Sequence, residues 1–179
     1  MQHKCIVEVI DKKCFADYQA RYLAPSQAGQ CSFYEIGDRF VFENYGGEDT
    51  FSTMGCGTQC SEAWDCISKY VYTAVNGGSI KGNRTKDERV IIACCSDGTR
   101  PVIFRITRRD YKALYITGVV TDKDHGAIAE RLKTFGQVED VVRREDKGFT
   151  EIYLRSELSD YVIAEAVRKA GNFCAERIE

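Results

Sequence analysis

The segment Cys94–Phe104, with the sequence CCSDGTRPVIF, decides the fold of the first half of this 179-residue chain. The β-branched run Val90–Ile92 precedes it, and a second apolar run begins at Val102. An Asp-Gly pair between two apolar runs is typical of a hairpin turn. The sequence therefore predicts two strands joined by a tight turn at Asp97-Gly98. Two thiols, a carboxylate and a guanidinium would then lie at one hairpin end.

The composition favours a globular protein without an obvious charged partner. Hydrophobic residues make up 44% of the chain, charged residues 29%, and the formal net charge is -2. This balance disfavours nucleic acid and anionic membranes as partners. No apolar run approaches the roughly 20 residues of a membrane span, and Met1–Lys4 does not resemble a signal peptide. We expect a cytoplasmic protein. A nucleotide-binding glycine loop is missing, and with two histidines a Cys-His hydrolase is disfavoured.

Periodicity places the elements of the first half. Alternation predicts a strand over residues 4–10, and the spacing of Phe15, Tyr18 and Tyr22 predicts a helix over 15–23. A turn at Gly37-Asp38 leads into a short strand, and residues 43–59 form a loop. A helix follows over residues 61–75, where Ser61 could cap it and Gly77-Gly78 would end it.

The second half has sharper helical periodicity and one cysteine, and the charged run Thr107–Lys112 predicts a domain boundary. We therefore predict two domains, 1–108 and 112–179. The second domain reads strand-helix-strand-strand-helix-strand, which is the split βαβ order. The predicted fold class is α+β, a small N-terminal α+β domain followed by a ferredoxin-like βαββαβ domain. Its predicted strands cover 113–120, 138–143, 149–154 and 173–178, and its helices 124–135 and 160–170.

Residues 112–179 resemble the heavy-metal-associated domain of copper chaperones and metal-transporting ATPases. The likeness rests on Gly118–Asp124, where that family reads Gly-Met-x-Cys-x-x-Cys, and on Ala166–Phe173, its closing helix and Gly-x-aromatic exit. Thr121 and Asp124 stand where the family has its two metal-binding cysteines. Because Cu(I) needs thiolate ligands, the fold is expected without the copper site. The resemblance then implies a small regulatory or dimerisation module that contacts a protein partner or a second copy.

Residues 1–108 resemble a family of small proteins from anaerobic bacteria and archaea. The likeness rests on Cys31 followed by Gly37-Asp38-x-Phe40, on Cys60-x-x-Ala63-Trp64-x-x-Ile67, and on Gly77-Gly78. Its strongest part is Cys94-Cys95-x-Asp97-Gly98-x-Arg100-Pro101-Val102-x-Phe104. The resemblance implies a compact α+β domain and assigns no activity to it, so whether the protein is an enzyme stays open.

Nine cysteines are the unusual feature of the composition, and their odd number disfavours a disulfide framework. Three segments bring thiols that would hold zinc or an iron–sulfur cluster, given about four converging thiolates. The predicted metal ligands are Cys31, Cys56, Cys60, Cys94 and Cys95. Strand alternation directs Cys94 and Cys95 to opposite faces, which weakens this prediction. The alternative is a metal-free binding or oligomerisation module whose thiols fill the core.

Thiol redox chemistry is a second functional prediction. Cys60 lies just before a helix, where amide dipoles stabilise a thiolate, and Arg100 could do the same for Cys95. Trp64 is expected to anchor the core, with ligand stacking as the alternative. Asp97 and Arg100 are either turn residues or part of the thiol site. The sequence thus predicts an accessory redox, metal-binding or iron–sulfur protein.

Overall fold

The structure is a computed structural model that describes residues 1–43, 60–80 and 85–178. The chain forms two compact units, each with its own hydrophobic core. The N-terminal unit is His3–Arg109, and the C-terminal unit is Asp110–Glu179 together with Met1–Gln2.

The first half of the chain supplies two helices and the first strands, and the fourth strand continues into the second half. In chain order these elements are β1 (Gln2–Lys12), α1 (Ala16–Tyr22), β2 (Arg39–Glu43), α2 (Ser61–Val75), β3 (Val90–Cys94) and β4 (Val102–Thr117). The predicted helix over 61–75 and the predicted first strand are confirmed. Cys60, and not Ser61, is the N-cap residue of α2. Residues 44–59, predicted as a loop, lie outside the described residues.

The core of the N-terminal unit lies between α2 and one face of its sheet. Strand β4 lies between β1 and β3, and β2 pairs with the other edge of β1. Because side chains alternate along a strand, every second residue faces the helix. The buried residues on this side include Val7, Phe42, Ile67, Ile91, Phe104 and Ile106.

Helix α1 is confirmed, but its aromatic side chains are not its buried face. Phe15, Tyr18 and Tyr22 are exposed, whereas Gln19 is buried. The Gln19 amide donates to the Gly29 carbonyl at 2.8 Å and accepts from the Gly29 N–H at 3.0 Å. A polar residue therefore attaches this short helix, through hydrogen bonds that periodicity does not reveal.

The predicted tight turn at Asp97-Gly98 is wrong, because a longer loop connects β3 to β4. Ladder pairing ends with the Cys95 N–H, which donates to the Val102 carbonyl at 3.1 Å. The carbonyls of Thr99 and Pro101 accept from the N–H groups of Phe15 and Lys13, at 2.8 and 2.9 Å. The loop is held open because two of its carbonyls accept hydrogen bonds from the chain that follows β1.

The C-terminal unit contains the end of β4 and the remaining elements. These are α3 (Asp122–Lys133), β5 (Val138–Arg144), β6 (Phe149–Leu154), α4 (Asp160–Ala170) and β7 (Cys174–Arg177). Strand β4 lies between β6 and β7, and β5 pairs with β6, all antiparallel. The order β7-β4-β6-β5 is that of a ferredoxin-like sheet. The predicted α+β class is confirmed, with both helices packed on one face through Ile128, Leu132, Ile163 and Val167.

The charged run Thr107–Lys112, where the domain boundary was predicted, lies within the continuous strand β4, and the division between the two units falls inside it, between Arg109 and Asp110. Its buried cations have carbonyl partners. Arg108 donates from Nη1 to the carbonyls of Gly77 and Gly78 at 3.0 and 2.7 Å, just past the end of α2. A cation that meets free carbonyls near a helix C-terminus is favourable. The charged residues in this stretch therefore belong to a strand whose buried cations have hydrogen-bond partners, and they do not form a linker.

Lys112 has the same role in the C-terminal unit, where it fixes the segment before α4. Its side chain is 6% exposed, and Nζ lies 2.6 Å from the Leu158 carbonyl, 2.7 Å from Asp160 Oδ1 and 2.6 Å from Glu157 Oε1. Burial lowers the pKa of Lys112, but hydrogen bonds to Asp160 and Glu157 outweigh it and leave the pKa raised. The Lys112 side chain is therefore charged in the folded protein.

We expect Lys112→Met to lower the free energy of unfolding by roughly 1–3 kcal/mol, because the Leu158 carbonyl loses its donor. Urea denaturation followed by circular dichroism measures the change. Lys169→Met, at an exposed position of α4, is the control and should stay within about 0.5 kcal/mol of the parent. Equal stability of the two variants would contradict a structural role for Lys112.

Candidate thiol site around Tyr34

Tyr34 lies in the core of the N-terminal unit, in the segment that connects α1 to β2. It is 4% exposed, and its ring makes edge contacts with Phe33, Phe40 and Phe104 at centroid distances of 5.0, 6.0 and 5.5 Å. Lys12 holds the backbone of this segment, since Nζ donates to the carbonyls of Tyr34 and Cys31 at 2.7 and 3.1 Å. Aromatic packing therefore holds the Tyr34 ring, and Lys12 holds the backbone of its segment.

Three of the predicted site residues are neighbours of Tyr34. Cys60, the N-cap residue of α2, donates its backbone N–H to the Tyr34 hydroxyl oxygen at 3.4 Å. Cys95 is buried in the same core, and its sulfur accepts the Val102 N–H at 3.3 Å. Cys31 and Cys60 are half-buried and pack against that core. Thiols from three distant segments thus share one neighbourhood.

The pKa of Tyr34 reflects the presence of these three thiols. Its pKa is raised from 10.0 to about 12, first by burial and then by negative charge on Cys60, Cys31 and Cys95, which opposes ionisation of the phenol. The Cys60 N–H acts against this shift by stabilising the phenolate. Tyr34 therefore stays neutral beside three groups that are themselves able to carry charge.

The other predicted ligands lie elsewhere or are not described. Cys94 is exposed, on the side of β3 opposite to buried Cys95, as strand alternation requires. Cys56 lies outside the described residues. Among residues 1–43, 60–80 and 85–178, no group of three or more His, Cys, Asp or Glu side chains is arranged to hold a metal ion. The donors near Tyr34 suit a soft ion chemically, but they do not form a ready-made site.

Asp97 and Arg100 stabilise the loop between β3 and β4. Asp97 Oδ1 accepts from the N–H groups of Thr99 and Arg100 at 2.8 and 3.1 Å, and Arg100 Nε donates to Asp97 Oδ2 at 3.1 Å. Burial raises the pKa of Asp97, but these bonds outweigh it and lower the pKa. The guanidinium that was expected beside the Cys95 thiolate is therefore bonded to a carboxylate.

Trp64 packs as an aromatic anchor. Its ring stacks on Phe42 at 5.8 Å and meets the edge of Tyr72 at 6.2 Å. Half-buried against the core of the N-terminal unit, it has the packing expected of a structural tryptophan.

Comparison with known proteins finds distant structural neighbours. No family model matches the sequence, and no curated protein matches it. One neighbour is the solution structure of the yeast copper transporter domain CCC2A in its apo and Cu(I)-loaded states, 17% identical, covering 40% of this chain and 96% of that one, with a TM-score of 0.35. Another is a copper-binding domain from HMA7, a P-type ATPase, also 17% identical, covering 40% and 95%, with a TM-score of 0.34. Both concern a part of this chain, and copper binding is a property of those proteins.

Thr121 and Asp124, the two residues that the sequence resemblance aligned with metal-binding cysteines, form a helix cap. The Thr121 hydroxyl accepts the Asp124 N–H at 3.2 Å, and Asp124 Oδ2 accepts the Thr121 N–H at 2.8 Å, which is a reciprocal capping box at the start of α3. The pKa of Asp124 is lowered by the Thr121 backbone and hydroxyl and by the Val120 N–H. Both polar groups are occupied by the helix.

Sequence reasoning missed Tyr34, the residue around which the thiols lie. A lone tyrosine in a loop has no motif, and the motifs marked only the cysteines. The available signal was its position three residues after Cys31, beside Phe33, in a segment without helical or strand periodicity. Such an aromatic pair in a loop indicates that the loop is packed and not solvated.

The Tyr34 pKa predicts a specific loss of stability in alkali. Because the folded pKa of about 12 exceeds the unfolded value of 10.0, this stability is complete below pH 10 and is lost as pH rises toward 12. The Tyr34→Phe side chain cannot ionise, so this variant does not lose that stability. Between pH 10 and pH 12 the free energy of unfolding of the parent should therefore fall by roughly 2–3 kcal/mol more than that of Tyr34→Phe. Cys5, with a pKa raised by burial to about 12, contributes equally to both proteins. Denaturation at each pH measures the difference, and exposed Tyr22→Phe should follow the parent. Parallel curves for parent and Tyr34→Phe would contradict the assignment.

The capping box predicts that Thr121→Ala lowers the free energy of unfolding by about 1 kcal/mol, because an amide of the first turn loses its acceptor. Thr121→Ser keeps the hydroxyl and is the matched control, expected within a few tenths of a kcal/mol of the parent. Urea denaturation followed at the helical circular dichroism band measures both. A serine variant as unstable as the alanine variant would show that the methyl group matters and the cap does not.

Proposed function

We propose that this chain is an accessory protein that binds one soft metal ion, zinc, through Cys31, Cys60 and Cys95. The observation that supports the proposal is the shared neighbourhood of the three thiols at Tyr34. Thiolate is the donor that zinc prefers, and three thiolates with one water complete a tetrahedral ion. An iron–sulfur cluster is the weaker choice, since clusters take four thiolates and the described residues near Tyr34 contribute three.

Binding requires a local rearrangement, because the described residues hold no ready-made group of three ligands. Cys31 lies in the irregular segment before β2, and Cys60 is the residue at which α2 begins, so neither sulfur is locked inside an element. Metal binding releases thiol protons and stabilises the folded state by an amount that grows with the logarithm of the affinity. Bound zinc would also shield these thiols from oxidation, which links the metal and redox interpretations of the same cysteines.

The test is a titration of the reduced, anaerobic protein with Co²⁺ followed by Zn²⁺. We expect one Co²⁺ per chain, with thiolate-to-cobalt charge-transfer absorption that Zn²⁺ displaces, and slower alkylation of Cys31 and Cys60 in the zinc form. Cys31→Ser and Cys60→Ser should each abolish the charge-transfer band. Cys66→Ser is the matched control, since Cys66 is also half-buried against this core but is not among the thiols that affect Tyr34.

The same titration separates this function from a metal-free module whose thiols only fill the core. The proposal would be overturned if Co²⁺ gave no charge-transfer absorption and zinc did not change the alkylation rates of Cys31 and Cys60. An unchanged band in the Cys31 and Cys60 variants would overturn the ligand assignment.

A further inference from the structure

A small cleft of about 230 Å³ lies at one end of the sheet in the C-terminal unit. Its walls come from the end of β4, the loop that follows, and the hairpin that joins β5 to β6. Thr150 pairs with Leu114 on β4 and with Arg143 on β5, so these side chains share the face that packs on the helices. The lining residues with groups for a ligand are Ile116, Val119, Arg143, Glu145 and Thr150.

The guanidinium of Arg143 is the main polar group of this cleft, and it is weakly held. Its Nη1 lies 3.7 Å from Glu145 Oε1, which is longer than a hydrogen bond. The Arg143 side chain is 35% exposed and that of Glu145 is 74% exposed, so both groups reach solvent. Within the described part of the chain, no other ion pair or hydrogen bond engages this guanidinium. A ligand can therefore contact both groups without breaking a close interaction.

Thr150 places a hydroxyl beside this arginine. The residue is 5% exposed and lines the cleft. Among the residues that the structure describes, none forms a hydrogen bond with the Thr150 hydroxyl. Buried polar groups usually have such a partner, which a ligand in the cleft would provide. Ile116 and Val119, which pack against the core of this unit, add an apolar wall.

We propose that this cleft binds a free α-amino acid with a small apolar side chain. Arg143 binds the carboxylate, since a guanidinium matches a carboxylate in a bidentate geometry, and Thr150 is a second donor to it. Glu145 accepts from the ammonium group, and Ile116 and Val119 contact the side chain. The lining carries one positive and one negative side chain, which suits a zwitterion better than an anion or a cation. The volume equals that of about eight water molecules, which limits the ligand to a small amino acid. The thiols and zinc take no part in this site.

The experiment is isothermal titration of the full chain with L-valine. We expect saturable binding of L-valine. Isovalerate, which lacks the ammonium group, and isobutylamine, which lacks the carboxylate, should each bind roughly tenfold more weakly, because each loses a charged hydrogen bond. Arg143→Gln should weaken L-valine binding by a similar factor. Arg168→Gln is the matched control, since Arg168 also pairs with a carboxylate, that of Glu165, but lies on α4 outside the cleft.

Glu145→Gln tests the two charged groups in opposite directions. It removes the acceptor for the ammonium group and also the carboxylate that competes for Arg143. L-valine should therefore bind more weakly than to the parent, and isovalerate should bind more tightly. Thr150→Val keeps the shape of the side chain and removes the hydroxyl, so L-valine should bind roughly threefold more weakly. Unfolding curves of each variant verify that it is folded.

His125 on α3 provides a separate measure of where the carboxylate binds. Its pKa is lowered first by burial and then by the charge of Arg143. The other charged groups that act on it are Asp122, Lys133 and Asp140. A ligand carboxylate offsets the Arg143 charge, so L-valine should raise the pKa of His125 in an NMR titration of the imidazole protons. Since the chain has two histidines, His3→Gln identifies the His125 resonance.

Three results would contradict the proposal or its parts. The proposal is overturned if L-valine does not bind at millimolar concentration, or if Arg143→Gln and Arg168→Gln weaken its binding equally. Isovalerate or isobutylamine bound as tightly as L-valine would overturn the amino-acid assignment. Saturable binding that leaves the pKa of His125 unchanged would overturn the contact between the carboxylate and Arg143.

Discussion

The backbone hydrogen bonds of β4 are the constraint on which the remaining structure depends. This strand of 16 residues pairs directly with β1, β3, β6 and β7, and the other two strands each pair with one of these neighbours. Alternation along β4 then assigns each side chain to a face. In the N-terminal unit Phe104 and Ile106 enter the core, while Arg105 and Arg109 line a cleft on the other face. The core that contains Cys95 and the cleft lined by Arg105 and Arg109 are thereby kept on opposite faces of one sheet.

A buried tyrosine suits a cluster of thiols for an electrostatic reason. Desolvation keeps the Tyr34 phenol neutral, so the ring adds no charge to the core against which Cys31, Cys60 and Cys95 lie. The neutral phenol also keeps its O–H hydrogen, and its oxygen accepts the backbone N–H of Cys60. The ring itself contributes ordinary packing against Phe40 and Phe104.

Apolar periodicity in the sequence was sufficient to predict the elements that bury one continuous face. It was insufficient where hydrogen bonds between distant residues determine the structure. Helix α2 and the ferredoxin-like order follow from apolar spacing, since both bury one continuous face. The continuity of strand β4 through Thr107–Lys112 was not predicted, because a lysine or arginine in a buried strand becomes acceptable only when distant carbonyls, such as that of Leu158, meet it. The tight turn predicted at Asp97-Gly98 was wrong for a similar reason, since the hydrogen-bond donors to the loop carbonyls lie in the chain after β1. Three of the named cysteines have Tyr34 as a neighbour, but no spacing rule could supply the tyrosine.

The cap on α3 has a consequence for how this helix responds to its surroundings. If two cysteines at these positions bound a metal ion, a chelating agent would compete with them for that ion. Here a hydroxyl and a carboxylate join the same two positions, and the carboxylate works only while ionised. Because the pKa of Asp124 is lowered, its stabilisation is complete above the unfolded value of 3.8 and is lost as pH falls through the folded one. The start of this helix is therefore sensitive to acid and indifferent to chelators.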